Sequence, residues 1–109
     1  MKLPPGRVRL LGLSSHMYVN WTTASATMDI GWDAYEDFSG TAVVADPNGI
    51  DDGIDVELAG FQTMGALLTA TGGTKVFESK EGVVIRLTSQ DVALADTNSA
   101  NGYIAYSAE

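Results

Sequence analysis

The chain contains no cysteine, a single histidine, and six basic residues against fourteen acids. Without cysteine it has no disulfide, no thiolate zinc site and no thiol nucleophile, which fits a reducing compartment such as a cytoplasm. His16 stands beside Ser14 and Ser15, too close in sequence for the geometry of a Ser-His-Asp triad. On the polar side of an alternating strand it reads as a surface residue. Long apolar runs are also missing, and none approaches the ~20 residues that cross a bilayer. Lys2 leads into Pro4-Pro5-Gly6 rather than an apolar core, so the opening does not read as a secretory signal. The sequon Asn20-Trp21-Thr22 is therefore expected to remain unmodified.

Acid is abundant, and it is clustered. Residues 27–60 hold nine carboxylates (Asp29, Asp33, Glu36, Asp37, Asp46, Asp51, Asp52, Asp55, Glu57) and no lysine or arginine. Lys2, Arg7 and Arg9 fall in the first nine residues, which carry no acid, and the next basic residue is Lys75. A basic arm thus joins an acidic body, and the net charge of −8 should repel nucleic acid and anionic membranes. Such a surplus of acid also keeps a small protein in solution. Pro4 and Pro5 preset an extended path for the arm and withhold two N–H donors.

Period-two alternation dominates the rest. Val8 and Leu10 oppose Arg7 and Arg9, and Gly12 marks a bulge or a close backbone approach. Met17, Val19 and Trp21 alternate with His16, Tyr18, Asn20 and Thr22. Met28, Ile30 and Trp32, then Val56 and Leu58, outline two short strands flanking a long acidic excursion. Ser39-Gly40, Pro47-Asn48-Gly49 and Asp52-Gly53 read as its turns, with 41–45 as a short strand between them. Residues 33–38 fit either one helical turn or an irregular loop, and 61–74 show mixed periodicity up to a turn at Gly72-Gly73. Residues 75–78 and 83–88 form a predicted hairpin through Lys80-Glu81-Gly82, followed by a short strand at 92–95 and a last one at 102–107. About eight strands at a spacing of roughly ten residues, with no helix, predict one all-β domain over 1–109. The expected architecture is an antiparallel β-sandwich or jelly-roll-like barrel with long loops, and the first nine residues form an extended basic N-terminal arm.

Three chemistries can be weighed from residue types. The fourteen acids allow paired carboxylates for glycoside hydrolysis by number, but all lie at turn-like or solvent-face positions, so no enzyme is expected. DPNGIDDGID resembles a calcium loop, yet placing Gly53 at the sixth EF-hand position puts Ile50 and Ala59 where oxygen ligands belong. A looser group of Asp46, Asp51 and Asp55 is the remaining arrangement. No metal and no cofactor are expected. The aromatic set (Tyr18, Trp21, Trp32, Tyr35, Phe38, Phe61, Phe77, Tyr103, Tyr106) has room for a platform that stacks on a glycan or a partner surface. Trp21 and Trp32 belong by spacing to apolar strand faces, and Tyr18, Tyr35 and Phe38 are the better candidates for exposure.

Five segments resemble a known family: LPPGRVRLLG at 3–12, MDIGWDAYED at 28–37, VVADPNGIDDGIDV at 43–56, FESKEGVVI at 77–85 and GYIAY at 102–106. In this order they are similar to small virion structural proteins of tailed bacteriophages, encoded beside the major capsid protein. The resemblance covers nearly the whole chain; residues 61–74 match poorly, and Ser107-Ala108-Glu109 run past the usual aromatic end. It implies a capsid decoration, or cement, protein that binds the outer surface of the shell as a homotrimer and resides on the virion exterior. The arm (Leu3, Pro4, Pro5, Arg7, Val8, Arg9) is then the expected docking element, with the major capsid protein as partner. Other readings are a module that binds host surface glycan and a tail or connector component.

Overall fold

The fold was obtained as a computed structural model and is described for residues 1–20, 23–56, 60–91, 93 and 98–109. Among these residues the strands are, in chain order, β1 (Lys2–Leu3), β2 (Gly6–Leu11), β3 (His16–Val19), β4 (Thr27–Trp32), β5 (Tyr35–Glu36) and β6 (Ala42–Val43). Then come β7 (Asp46–Asp55), β8 (Gly60–Thr63), β9 (Thr74–Ser79), β10 (Val83–Gln90), β11 (Ala100–Tyr103) and β12 (Tyr106–Ala108). Two 3-10 segments, Gly12–Ser14 and Ala66–Thr71, complete them. The protein is all-β, as its alternation requires. Its antiparallel sheets run β1-β10-β4-β7, β11-β3-β8, β12-β2-β9 and β5-β6, sandwich-like around one core.

Each sheet sends alternate side chains inward. Val8 and Leu10 of β2, Met17 and Val19 of β3, Met28 and Ile30 of β4, and Val83 and Ile85 of β10 are all buried. Phe77 of β9 lies among them, with Trp32 edge-on at 5.6 Å and Tyr35 at 5.9 Å between ring centroids. Trp32 is therefore a core residue, as its spacing predicts, whereas Trp21 and the predicted strand at 92–95 fall on or among residues outside the described set. Gly12 is the predicted close approach: a Cβ there would stand 2.9 Å from Gly73 O, and Gly12 N–H donates to that same oxygen at 2.8 Å.

The structure corrects several expectations. Residues 46–55 are not a chain of turns but the ten-residue strand β7, paired with β4 along its length. Between Met28↔Ile54 and Ile30↔Asp51 β7 advances three positions for β4's two; between there and Trp32↔Asp46 it advances five for two. Bulges absorb the surplus, and the turn-forming residues sit in them; Gly53, for one, has φ +70°. The excursion's two-residue strands β5 and β6 close a hairpin in which Asp37 accepts from Ser39 N, Ser39 Oγ and Thr41 N. β9 and β10 are present but unpaired with each other. Lys80-Glu81-Gly82 is a corner: β9 joins β2, and β10 joins β1 and β4. The predicted last strand is likewise split, β11 pairing with β3 and β12 with β2. Buried Ser15 fixes that corner by donating to Leu11 O at 2.8 Å and accepting from Ala105 N at 2.9 Å.

The basic arm is also corrected. Lys2–Leu3 is the edge strand beside β10, and Gly6–Leu11 is the centre of the β12-β2-β9 sheet. Leu3 and Val8, at 2% and 1% exposure, belong to the chain's own core. An apolar anchor already buried at home is not available to a partner.

Candidate functional site

The outward side of β11-β3-β8 carries three exposed aromatic residues, Tyr18, Phe61 and Tyr103. Since Met17 and Val19 point inward, His16 and Tyr18 must point out. The register then sets Phe61 and Asn101 on either side of Tyr18, and Thr63 and Tyr103 on either side of His16. Tyr18 and Phe61 meet edge-on, 5.2 Å between centroids at 69°. His16 and Tyr103 are 5.8 Å apart, and His16 Nδ1 lies 3.1 Å from the Tyr103 hydroxyl in a hydrogen bond. A shallow depression of about 300 Å³ lies along these side chains. Phe61 is 80% exposed and Tyr103 58%, an apolar display larger than scattered surface residues require. Gly102 makes it possible, because any Cβ there would overlap His16 O and the Met17 backbone and push β11 away from β3.

The sequence-predicted site residues are not brought together. Tyr18 is in the aromatic face. Tyr35 is in the β5-β6 sheet, half-buried against Phe77, and Phe38 is exposed in the turn of that hairpin. Burial, followed by the nearby charges of Asp37 and Glu78, pushes the Tyr35 hydroxyl pKa up. Tyr35 is thus a core-edge residue rather than a stacking platform. Arg7 and Arg9 project from β2 into an ion-pair ladder within the chain. Arg7 Nε donates to Glu109 Oε2 at 2.8 Å, Arg9 Nε to Glu109 Oε1 at 2.9 Å, and Arg7 Nη1 also pairs with Glu78. The hydrogen bonds from Arg7 and then Arg9 hold the Glu109 carboxyl below its usual range. Pro4 and Pro5 connect β1 to β2.

Not every acid is a solvated one. Asp51 is 1% exposed, and its two oxygens accept from Gly65 N and Ala66 N, both at 2.7 Å. Buried Asp29 accepts from Gly53 N at 2.8 Å. Asp46 and Asp55 lie at opposite ends of β7, so Asp46, Asp51 and Asp55 do not converge on a calcium. Among the described residues no group of three or more His, Asp or Glu side chains is placed to hold a metal ion. None of their helices is long and apolar enough to cross a membrane.

Sequence reasoning includes Phe61 and Tyr103 in the aromatic set but does not single them out as exposed. Their only local signal is a bulky ring in a short alternating run bounded by glycine. That they share a face with Tyr18 follows from strand pairing, which no single run specifies. Comparison with known protein families, curated proteins and solved structures finds no match.

Proposed function

We propose that the chain is a non-enzymatic virion structural protein, a decoration protein that docks on the outer surface of a major capsid shell as a homotrimer. The five-segment resemblance points to this class. The observation that carries the reading is the exposed Tyr18, Phe61 and Tyr103 face, held on a paired sheet and so already ordered before docking. Rigid aromatic rings lose little freedom on binding, and full burial of one such ring contributes ~1.5–3 kcal/mol. Docking therefore shifts from the arm to this face. The net charge of −8 suits a place outside the shell, away from packaged nucleic acid. Many copies on one lattice make even a modest contact effective.

A second reading rests on the polar neighbours of the rings. His16 and Asn101 flank them in an open depression, an arrangement that also suits stacking and hydrogen bonding to a host glycan. Co-sedimentation with empty shells of the capsid protein encoded beside the chain separates the two. We expect saturable binding at three-fold-related positions, weakened at least ~100-fold by Phe61→Ser with Tyr103→Ser if two anchors are lost. Equal binding by the double variant would overturn the assignment of this face. Selective glycan-array binding without shell binding would establish the second reading.

A further inference from the structure

A second site lies away from the aromatic face. Its cleft, of about 400 Å³, has apolar walls from Trp32, Leu67, Leu68 and Val76 and cations from Arg9 and Lys75, a size and lining suited to a small ligand. Lys75 Nζ stands 4.4 Å from the Trp32 ring centroid and 5.2 Å from that of Phe77. Among the described residues Lys75 forms no ion pair, whereas Arg7, Arg9 and Arg86 each do. In a chain with fourteen acids and six bases, this ammonium faces aromatic rings instead of a carboxylate. The rings attract a cation without neutralising it, so the Lys75 ammonium keeps its charge for an incoming group.

The wall is built rather than incidental. Any Cβ at Gly49 would overlap Cη2 and Cζ3 of Trp32 and Oδ2 of Asp46, so glycine lets the indole keep its place and leaves the Asp46 carboxylate at the cleft's edge. Its Nε1–H donates to Val44 O at 3.3 Å. Arg9 brings a second cation, but its Nε already serves Glu109 and its Nη1 donates to Thr74 Oγ1 at 3.4 Å. Among the described residues Lys75 is thus the one cation of the lining without an ion pair, and with the Asp46 carboxylate at the edge the cleft suits a monoanion and not a polyphosphate.

We propose that this cleft binds a small organic monoanion: a carboxylate that meets Lys75, carried on an aromatic or branched apolar body that lies against Trp32, Leu67 and Leu68. The inference is independent of capsid docking. Its test is titration of the isotope-labelled full chain with phenylacetate, followed by amide and indole NMR, with phenethylamine and inorganic pyrophosphate as competitors in charge. We expect saturable shifts of the Trp32 indole N–H and the Lys75 amide with half-saturation below ~10 mM, and at least ~tenfold weaker binding in Lys75→Met. Lys75→Gln should show the same loss, which keeps the test decisive if one of the two variants misfolds. Phenethylamine should produce no such shifts, and Phe61→Ser should leave phenylacetate binding unchanged. The proposal is overturned if phenylacetate gives no saturable shift, if phenethylamine binds equally, if both Lys75 variants bind like the parent, or if the shifts centre on Tyr18. Tighter binding of pyrophosphate would overturn the monoanion assignment.

Discussion

Asp51 is the most consequential single residue of the acidic excursion. It joins β7 to the Ala66–Thr71 segment through two backbone N–H donors, which makes a buried carboxylate tolerable. Desolvation pushes its pKa up, and the N–H groups of Gly65 and Ala66 pull it part of the way back. With the folded value raised, the folded state holds the proton more tightly than the unfolded chain. The Asp51 contribution therefore improves as pH falls from the raised value toward the ordinary one near ~4. Asp51→Ala leaves both N–H groups without a partner and should lower stability by ~2–4 kcal/mol. Urea melts at several pH values would show it, and an unchanged midpoint would contradict this role. Asp51→Asn removes the titration, so its stability should respond less to pH than that of the parent between the ordinary carboxylate value and the raised one.

At the scale of elements, the first two strands carry more than their composition suggests. β1 is two residues long, yet it covers the edge of β10 and delivers Leu3 to the core. Leu3→Ala should cost ~2–5 kcal/mol through lost burial and the cavity left behind, a drop readable in thermal melts. Deleting residues 1–6 should give a poorly folded, aggregating chain, because it uncovers a strand edge and opens the core together. A truncated protein that folds with the parent's melting temperature would show that β1 is dispensable. Gly31, in β4, admits no side chain: a Cβ there would overlap Asp46 O and the Pro47 carbonyl. Gly31→Ala should accordingly disrupt the pairing of β4 with β7.

The whole molecule measures 44 × 23 × 23 Å with a radius of gyration of 14.2 Å, longer than the ~13 Å of a spherical domain of this length. Over this body three acids, Asp33, Asp37 and Glu109, respond to pH in the sense opposite to Asp51. The Arg86 guanidinium, donating to both Asp33 oxygens at 2.7 and 2.6 Å, holds that carboxyl below its usual range. Ser39, then Thr41, do the same for Asp37, and Arg7 and Arg9 for Glu109. A lowered folded pKa stabilises above the ordinary carboxylate value and ceases to do so as pH falls through the depressed one. Stability should therefore fall below pH ~4 as these groups protonate, and high salt should shrink that fall because the groups are exposed. Differential melts at low and high salt would check it; an acid limb that salt leaves unaltered would assign the loss to buried groups instead.

The alternating pattern by itself determined that the protein is all-β and which residues of each strand face inward. Val8 and Leu10, Met17 and Val19, and Met28 and Ile30 were legible because a strand's two faces differ every second residue. The close approach at Gly12 was legible for a similarly local reason. Partnership was decided only by the tertiary structure. The same run at 75–88 fits a hairpin or a corner between two sheets, and burial of Leu3 and Phe77 in one core selects the corner. DPNGIDDGID is a string of turn formers until β4 pairs with it and its surplus residues become bulges. The aromatic face belongs to this second kind. Tyr18, Phe61 and Tyr103 lie far apart in the chain, and only the register of β3 with β8 and β11 makes them neighbours, since cross-strand contacts arise from long-range pairing that local side-chain chemistry does not encode.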